Sequence, residues 1–270
     1  LGDVYKRQGV GKVGKMIETR KLPGCAIVTG GARGLGEAMV LELASEGYDV
    51  VINYVTDKSA GKAAALAKRV REEFGVGAVT VQADVASYED CQRIVETGCR
   101  AFGDQVGVLV NNAGIMTGKL FHEHSPDGEY TRLISIELLG SMHLTHCVLP
   151  HMQPYRSGCI VCISSVAAHM CMRLQADYSV AKAGLIAFMR VIARENAPYN
   201  IRANTIAPGL CVTDMMRDQP KERTDAVRQA VPLGFLGEPK DISDCLAYIV
   251  NSKYLTGQCI SPNGGYAMYL

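Results

Sequence analysis

Short runs of β-branched and other apolar residues alternate with longer amphipathic stretches along most of this chain. The runs are apolar throughout, so each predicted strand is expected to be buried on both faces. Such strands, joined by helices through right-handed crossovers, predict a doubly wound parallel sheet with helices on both faces. The predicted strands are 25–30, 49–54, 78–83, 106–114, 158–164, 201–208 and 257–265, and the main predicted helices are 34–47, 59–74, 88–102, 129–152, 178–197 and 240–251.

The length of 270 residues fits one α/β domain, predicted to span residues 16–270. Residues 1–15 are predicted to be a non-native or disordered extension, because the opening residues resemble the translation of a sequencing-adapter end. The segment 210–239 is long and carries several prolines and glycines. It is predicted to form a mobile lid over a site.

Net charge and cysteine content limit the classes of protein to which the chain can belong. A net charge of +1 gives no reason to expect a nucleic acid or an anionic membrane as a partner, and no apolar run reaches the length of a membrane span. Ten irregularly spaced cysteines in a chain of this length indicate a reduced, cytoplasmic protein. No metal site is expected, because Cys159 and Cys162 lie in a predicted buried strand and His143, His146 and Cys147 have the spacing of helix packing.

A glycine-rich turn, TGGARGLG at 29–36, directly follows the first predicted strand and opens the first predicted helix. Gly30, Gly34 and Gly36 permit a tight turn in which backbone N–H groups and the helix N-terminus face an anion. In this strand–turn–helix setting the motif predicts a dinucleotide site.

Tyr178 and Lys182 lie four residues apart at the start of a predicted helix, so they share one helix face. Tyr54 and Lys58 have the same spacing, and the spacing alone is therefore not informative. The first pair has Ser165 13 residues upstream, at the end of a predicted strand, whereas the second has a leucine at that place. Tyr178 and Lys182 are therefore the candidate catalytic pair.

Several motifs in order carry a resemblance to a known family. They are the Gly-x-x-x-Gly-x-Gly turn, NNAG at 111–114, Ser165, Tyr178-x-x-x-Lys182 and NTIAPG at 204–209. Together they resemble the short-chain dehydrogenase/reductase (SDR) family over about residues 24–266, and most closely its bacterial 3-oxoacyl-acyl-carrier-protein reductase-like members. The resemblance implies a Rossmann-type sheet of seven strands in the order 3-2-1-4-5-6-7, and usually a tetramer.

The residue types suit reduction of a ketone. The ketone oxygen gains negative charge as hydride arrives and needs a proton, which Tyr178 is expected to donate. A tyrosine with an ordinary pKa of about 10 donates poorly at neutral pH, and a neighbouring ammonium such as that of Lys182 lowers such a value. Ser165 is expected to polarise the carbonyl by hydrogen bonding.

The cofactor is predicted to be NADPH rather than NADH. The second strand ends in Asn53-Tyr54 with no carboxylate before Asp57, and Arg33 in the glycine turn suits a 2′-phosphate. The resemblance adds further contacts to the adenine, ribose and nicotinamide. The full set of predicted cofactor-binding residues is Gly30, Arg33, Gly34, Leu35, Gly36, Asn53, Tyr54, Asp84, Val85, Asn112, Ala113, Gly114, Tyr178, Lys182, Pro208, Gly209, Cys211 and Thr213.

Glu137 departs from the family pattern. Members usually have an asparagine here, whose backbone carbonyl holds a water that serves the lysine, whereas this chain reads Glu137-Leu-Leu-Gly140. A carboxylate beside Lys182 would reduce the effect of the lysine on Tyr178. Two alternatives remain: the side chain joins the catalytic group, or it points away from Lys182.

The substrate is expected to lie between segment 166–177 and the lid, which supplies Met215 and Met216. These side chains favour an apolar ketone or alcohol over a charged sugar. The first hypothesis is reduction of a 3-oxoacyl thioester of acyl carrier protein or coenzyme A. The alternatives are a hydroxysteroid or other secondary-alcohol dehydrogenase, and a nucleotide-binding protein without turnover.

Overall fold

A computed structural model describes residues 21–125, 127–212, 225 and 228–268. It confirms the predicted parallel sheet, whose seven strands are ordered β3-β2-β1-β4-β5-β6-β7. The predicted N-terminal extension and the lid residues Thr213, Met215 and Met216 lie outside the described residues.

The strands are short, as expected for a core sheet. They are β1 (Cys25–Val28), β2 (Val50–Tyr54), β3 (Ala78–Gln82), β4 (Val106–Asn111), β5 (Gly158–Ile163), β6 (Ile201–Ile206) and β7 (Cys259–Ile260). The helices are α1 (Gly34–Ser45), α2 (Asp57–Phe74), α3 (Tyr88–Phe102), α4 (Glu129–Ile134), α5 (Gly140–Val148), α6 (Ala167–Met170), α7 (Ala176–Asn196) and α8 (Pro239–Asn251). The last predicted strand, 257–265, shrinks to two residues at the sheet edge.

Two apolar cores lie on opposite faces of the sheet. Alternate residues of β1 separate them: Ala26 and Val28 pack into one core, Cys25 and Ile27 into the other. Helices α1, α2 and α8 cover the first core, and α3, α5 and α7 cover the second. Burial of both faces explains why the strands are apolar at every position rather than at alternate ones.

The predicted helix 129–152 is interrupted. A π-helical turn, Ser135–Leu139, separates α4 from α5, and a short 3₁₀ turn, Leu149–His151, follows α5. A π-helical turn inserts a residue and rotates the side chains that follow it, which often occurs at functional sites. Residues 129–151 are long and apolar enough to cross a membrane, but half of the most apolar window is buried inside the fold, as in a core helix.

Two glycine substitutions test the local packing. A Cβ at Gly36 would lie 2.2 Å from the Gly30 carbonyl oxygen, whereas a Cβ at Gly61, in α2, would meet no atom within 4 Å. We expect Gly36→Ala to lower the free energy of unfolding by about 1–3 kcal/mol through overpacking. Gly61→Ala, the control, should raise it by about 0.5–1 kcal/mol through helix propensity. Urea denaturation measures both, and equal effects of the two changes would contradict this packing.

Candidate active site

The carboxyl ends of the central strands meet at one edge of the sheet, as parallel strands require. Thr29, directly after β1, accepts hydrogen bonds at its Oγ1 from the backbone N–H groups of Asn112 and Ala113, both at 2.9 Å. The segments following β1 and β4, which carry the glycine turn and the NNAG motif, are thereby joined side by side.

The glycine turn has the conformation that the sequence predicts. Gly30 and Gly34 have φ values of +59° and +58°, in the left-handed region that favours glycine. A Cβ at Gly34 would meet no atom within 4 Å, so open space lies above the start of α1. Asn112 closes the turn from below, because its Nδ2 donates to the carbonyl oxygens of Thr29 and Gly30 at 2.9 and 3.2 Å.

Asn53 is buried beneath this turn, at 2% exposure. Its Oδ1 accepts from the Gly30 N–H at 3.2 Å, and its Nδ2 donates to the Ala83 carbonyl at 2.9 Å. These contacts give Asn53 a supporting role for the turn. Tyr54 and Leu35 are half-buried against the core on this face of the sheet.

The remaining predicted cofactor residues follow β3 and β6. Asp84 forms an ion pair with Arg132 at 2.6 Å, and Val85 packs under Gly140, where a Cβ would lie 2.8 Å from a Val85 methyl group. The Pro208 carbonyl accepts from the Val166 N–H at 3.1 Å.

Beyond β6, the Gly209 N–H donates to the Pro262 carbonyl, and Cys211 pairs with Gly237. Burial raises the pKa of the Cys211 thiol to about 11, and the charge of Asp241 adds to this. This thiol is therefore protonated and unreactive at neutral pH. Thr213 lies outside the described residues.

Ser165 lies just beyond the end of β5, where its Oγ accepts a hydrogen bond from the Ala167 N–H at 3.1 Å. This contact does not use the hydroxyl hydrogen, so the Ser165 hydroxyl can still donate a hydrogen bond to another acceptor. The neighbouring Ser164 Oγ donates to the Lys182 carbonyl at 2.8 Å and ties α7 to the end of β5.

Tyr178 and Lys182 lie in the first two turns of α7 and share one face, as their spacing predicts. The Lys182 Nζ is 5.3 Å from the centroid of the Tyr178 ring and donates to the Ile163 carbonyl at 2.7 Å. The second pair is placed elsewhere: Tyr54 ends β2, and Lys58 lies in the first turn of α2.

Glu137 does not point away from the lysine. Its Oε2 lies 2.6 Å from the Lys182 Nζ, and the side chains of Glu137 and Lys182 are only 2% and 5% exposed. Its Oε1 accepts a hydrogen bond from the Ile115 N–H at 2.8 Å. The π-helical turn presents this carboxylate to the centre of the site, and the Glu137 carbonyl accepts from the Ser141 Oγ at 3.0 Å.

The buried ion pair sets the charge of Lys182. Burial alone would lower the pKa of this ammonium, but the Glu137 carboxylate and then the Tyr178 phenol act against it, so the pKa is raised. Because the pKa of Lys182 is raised in the folded state, protonation of this lysine contributes stability that is present at neutral pH and up to the ordinary lysine pKa of about 10.4. That contribution is lost as the pH rises through the raised value.

The position of the Glu137 carboxylate also explains why residue 114 is a glycine. A Cβ at this position would lie 2.4 Å from the Glu137 Oε1, so the NNAG segment and the carboxylate pack directly on each other. A glycine at the end of this motif therefore leaves the room that Glu137 occupies.

Sequence reasoning missed a second polar group beside the site. Asp177, which precedes Tyr178, is buried and accepts from the Thr117 Oγ1 at 2.7 Å. His124 is also buried, with its Nδ1 3.7 Å from the Asp177 Oδ2. Thr117 and His124 lie in the segment between β4 and α4, and Asp177 lies in the first turn of α7. No spacing motif links these three residues, and only the acid next to the candidate catalytic tyrosine was a usable signal.

Comparison with known proteins bears on the family to which the chain belongs. A family model described as short chain dehydrogenase matches residues 24–224. The chain is 36% identical over 245 residues to 3-oxoacyl-(acyl-carrier-protein) reductase FabG of Staphylococcus epidermidis, which covers 90% of this chain and 98% of that protein. It is also 36% identical over 245 residues to acetoacetyl-CoA reductase of Shinella zoogloeoides, covering 89% of this chain and 97% of the relative.

A solved structure is similar over nearly the same length. The blue fluorescent protein from a metagenomic library, crystallised in complex with NADPH, has a TM-score of 0.84 and 31% identity, covering 92% of this chain and 99% of that one. Fold, site and sequence similarity lead to one conclusion. The chain belongs to the short-chain dehydrogenase family of NAD(P)-dependent oxidoreductases.

Proposed function

We propose that this protein is an NADPH-dependent reductase that converts an apolar ketone, of the 3-oxoacyl thioester kind, to a secondary alcohol. The observation that carries the proposal is the buried ammonium of Lys182 beside the Tyr178 ring, at the sheet edge where Ser165 also lies. Two relatives that act on 3-oxoacyl and acetoacetyl thioesters support the substrate class.

The residues present fit a dinucleotide. Open space above Gly34, the N-terminus of α1 and the tight turn at Gly30 together form a cradle for a diphosphate. Arg33 is exposed at the rim of this cradle, in a cleft of about 640 Å³ between α1 and α2, and would hold a 2′-phosphate. The NADPH complex of a structural relative supports this choice of cofactor.

When bound, the nicotinamide supplies the hydride. The protein supplies the rest: Ser165 donates a hydrogen bond to the ketone oxygen, and Tyr178 donates a proton to the same oxygen as it becomes negative. Lys182 favours loss of that proton by its positive charge and would also hold the nicotinamide ribose.

Glu137 positions and partly neutralises Lys182. The carboxylate holds the ammonium against the Ile163 carbonyl, so that the lysine needs no water relay to keep its place. The electric field of the lysine at Tyr178 is weaker as a result, because the negative charge of Glu137 offsets part of the lysine charge. Glu137 therefore acts through Lys182 and not on the substrate.

Exposed apolar side chains around the site suit an apolar substrate. Ile115 and Met116 follow the NNAG motif, and Met170 and Leu174 come from the segment after Ser165, each 38% to 49% exposed. The Gln175 Nε2 contacts the Met116 sulfur at 3.5 Å, which places the two segments side by side. A steroid or another secondary alcohol is the alternative substrate class for the same pocket.

We further propose a cytoplasmic homotetramer. All ten cysteines lie among the described residues and each is a free thiol, which suits a reducing compartment. The tetramer rests on the family resemblance, and analytical ultracentrifugation tests it.

Tyr178→Phe removes the proton donor and keeps the ring beside Lys182. We expect the rate of acetoacetyl thioester reduction to fall by about 10²–10⁴-fold, because general acid catalysis contributes that much. NADPH affinity should change little. NADPH oxidation and NADPH binding, measured on the same samples, separate the two effects.

Tyr254→Phe, at a fully exposed tyrosine outside the predicted site, is the matched control for that change and should leave the rate unaltered. A diketone and an oxosteroid, tried with the wild-type protein, identify the substrate class. Tight NADPH binding with no oxidation by any ketone would instead support a nucleotide-binding protein without turnover.

Glu137→Asn removes the carboxylate that neutralises Lys182. We expect reductase activity to be kept or raised and the apparent pKa of the rate profile to fall, because the lysine charge then acts undiminished on the proton donor. Rate–pH profiles of the wild type and the variant measure this shift.

Glu137→Gln is the control, since it removes the charge and keeps the length of the side chain. It should shift the profile in the same direction and lower the free energy of unfolding by about 3–5 kcal/mol, the cost of an unpaired buried charge. An unchanged pH profile in both variants would count against any role for Glu137 in serving the lysine.

Arg33→Ala tests the choice of cofactor. We expect NADPH affinity to fall by about 10–100-fold, the value of one charge-assisted contact of about 1.5–3 kcal/mol, with no change in NADH affinity. Arg100→Ala, on the exposed last turn of α3, is the control. Equal losses for NADPH and NADH on changing Arg33 would show that the side chain does not bind the 2′-phosphate.

A further inference from the structure

A group of three metal-ligating side chains lies at the amino ends of the strands, opposite the active site. Cys99 is in the last turn of α3, Asp104 is in the loop that leads into β4, and His151 ends the 3₁₀ turn after α5. The Cys99 sulfur, an Asp104 carboxylate oxygen and the His151 Nδ1 all lie within 4.8 Å of one another.

Three polar atoms of Cys99 and Asp104 lie close to one ring nitrogen of His151. The His151 Nδ1 lies 2.9 Å from the Asp104 Oδ1, 3.1 Å from the Asp104 carbonyl oxygen and 3.4 Å from the Cys99 sulfur. One N–H hydrogen cannot be shared well among three acceptors. In a nucleophile–histidine–acid relay the two partners use different ring nitrogens, so this geometry does not match such a relay either.

The spacing of these atoms suits a tetrahedral metal ion along its sulfur–nitrogen edge. Bond lengths to zinc of about 2.3 Å for sulfur and about 2.0–2.1 Å for nitrogen and oxygen give sulfur–nitrogen and nitrogen–oxygen distances of about 3.5 and 3.3 Å. The observed sulfur–nitrogen distance of 3.4 Å agrees with the first value. The observed nitrogen–oxygen distance of 2.9 Å is shorter than the second, so the Asp104 carboxylate would move outward by a few tenths of an ångström around an ion. A cation at the centre would satisfy all three atoms at once.

We propose that Cys99, Asp104 and His151 form a binding site for a borderline divalent cation of the zinc or cobalt class. A thiolate and an imidazole select such ions over magnesium or calcium, which prefer oxygen ligands. The Tyr155 hydroxyl donates to the free Asp104 Oδ2 at 3.2 Å and orients the carboxylate. Asp104 is well exposed, so water can take the fourth position.

The site is structural in its effect. It joins the end of α3, the loop before β4 and the 3₁₀ turn after α5. The whole length of β4 separates it from the NNAG motif, about 20 Å at 3.3 Å per residue. A bound ion is therefore expected to raise thermal stability and to leave the reductase reaction unchanged. No metal was expected from the sequence, because the ligands are up to 52 residues apart.

The test is titration of the untagged, metal-free protein with Zn²⁺ and with Co²⁺. We expect one ion per chain, a thiolate-to-cobalt charge-transfer band and a higher unfolding temperature with Zn²⁺. Cys99→Ser should abolish the charge-transfer band, Asp104→Asn and His151→Gln should weaken Zn²⁺ binding at least about 100-fold, and Tyr155→Phe about 10-fold.

Cys147→Ser and His146→Gln are the matched controls, because both residues lie on α5 around Tyr88 and offer the same ligand types. They should leave binding unchanged. No binding by the wild-type protein, a band that survives Cys99→Ser, or a band lost in Cys147→Ser would overturn the proposal. Circular dichroism of each variant shows whether it is folded, and Asp104→Asn, which keeps the shape of the side chain, serves if Cys99→Ser fails to fold.

Discussion

The ion pair between Glu137 and Lys182 is the interaction on which the rest of the site depends. The two charges lie 2.6 Å apart in the interior, and each offsets part of the cost of burying the other. The pair joins the π-helical turn to α7 and, through the Ile115 N–H and the Ile163 carbonyl, to the ends of β4 and β5. Tyr178 and Ser165, the proposed proton donor and carbonyl-polarising group, lie on or next to elements that this pair connects.

Much of the fold could be predicted from the sequence, because strands buried on both faces leave an unbroken apolar pattern and parallel crossovers allow few topologies. A candidate catalytic pair could be chosen from the sequence because the pairs at 54–58 and 178–182 differ in what precedes them. The direction of the Glu137 side chain could not be predicted from the sequence. It depends on a π-helical turn, in which one extra residue rotates the helix, and no residue pattern in SIELL indicates that turn.

Contacts between residues from distant segments could not be predicted from the sequence either. Asn53 has the position of a cofactor contact at the end of β2, but its amide is used in supporting the glycine turn. His124, from the segment between β4 and α4, meets Asp177, in the first turn of α7, beside the site. Cys99 and His151 meet at the opposite edge of the sheet. Such contacts follow from the way the helices pack, which spacing along the chain does not record.

The charge of Lys182 tests the central claim most directly. Its ¹³Cε chemical shift, assigned in lysine-labelled protein by comparison with Lys182→Arg, reports protonation as the pH rises. We expect a lysine that stays charged beyond the ordinary lysine pKa of about 10.4, because the Glu137 carboxylate and the Tyr178 phenol together outweigh the effect of burial on its pKa. A lysine that loses its proton below that value would contradict the ion pair as the organising feature of the site.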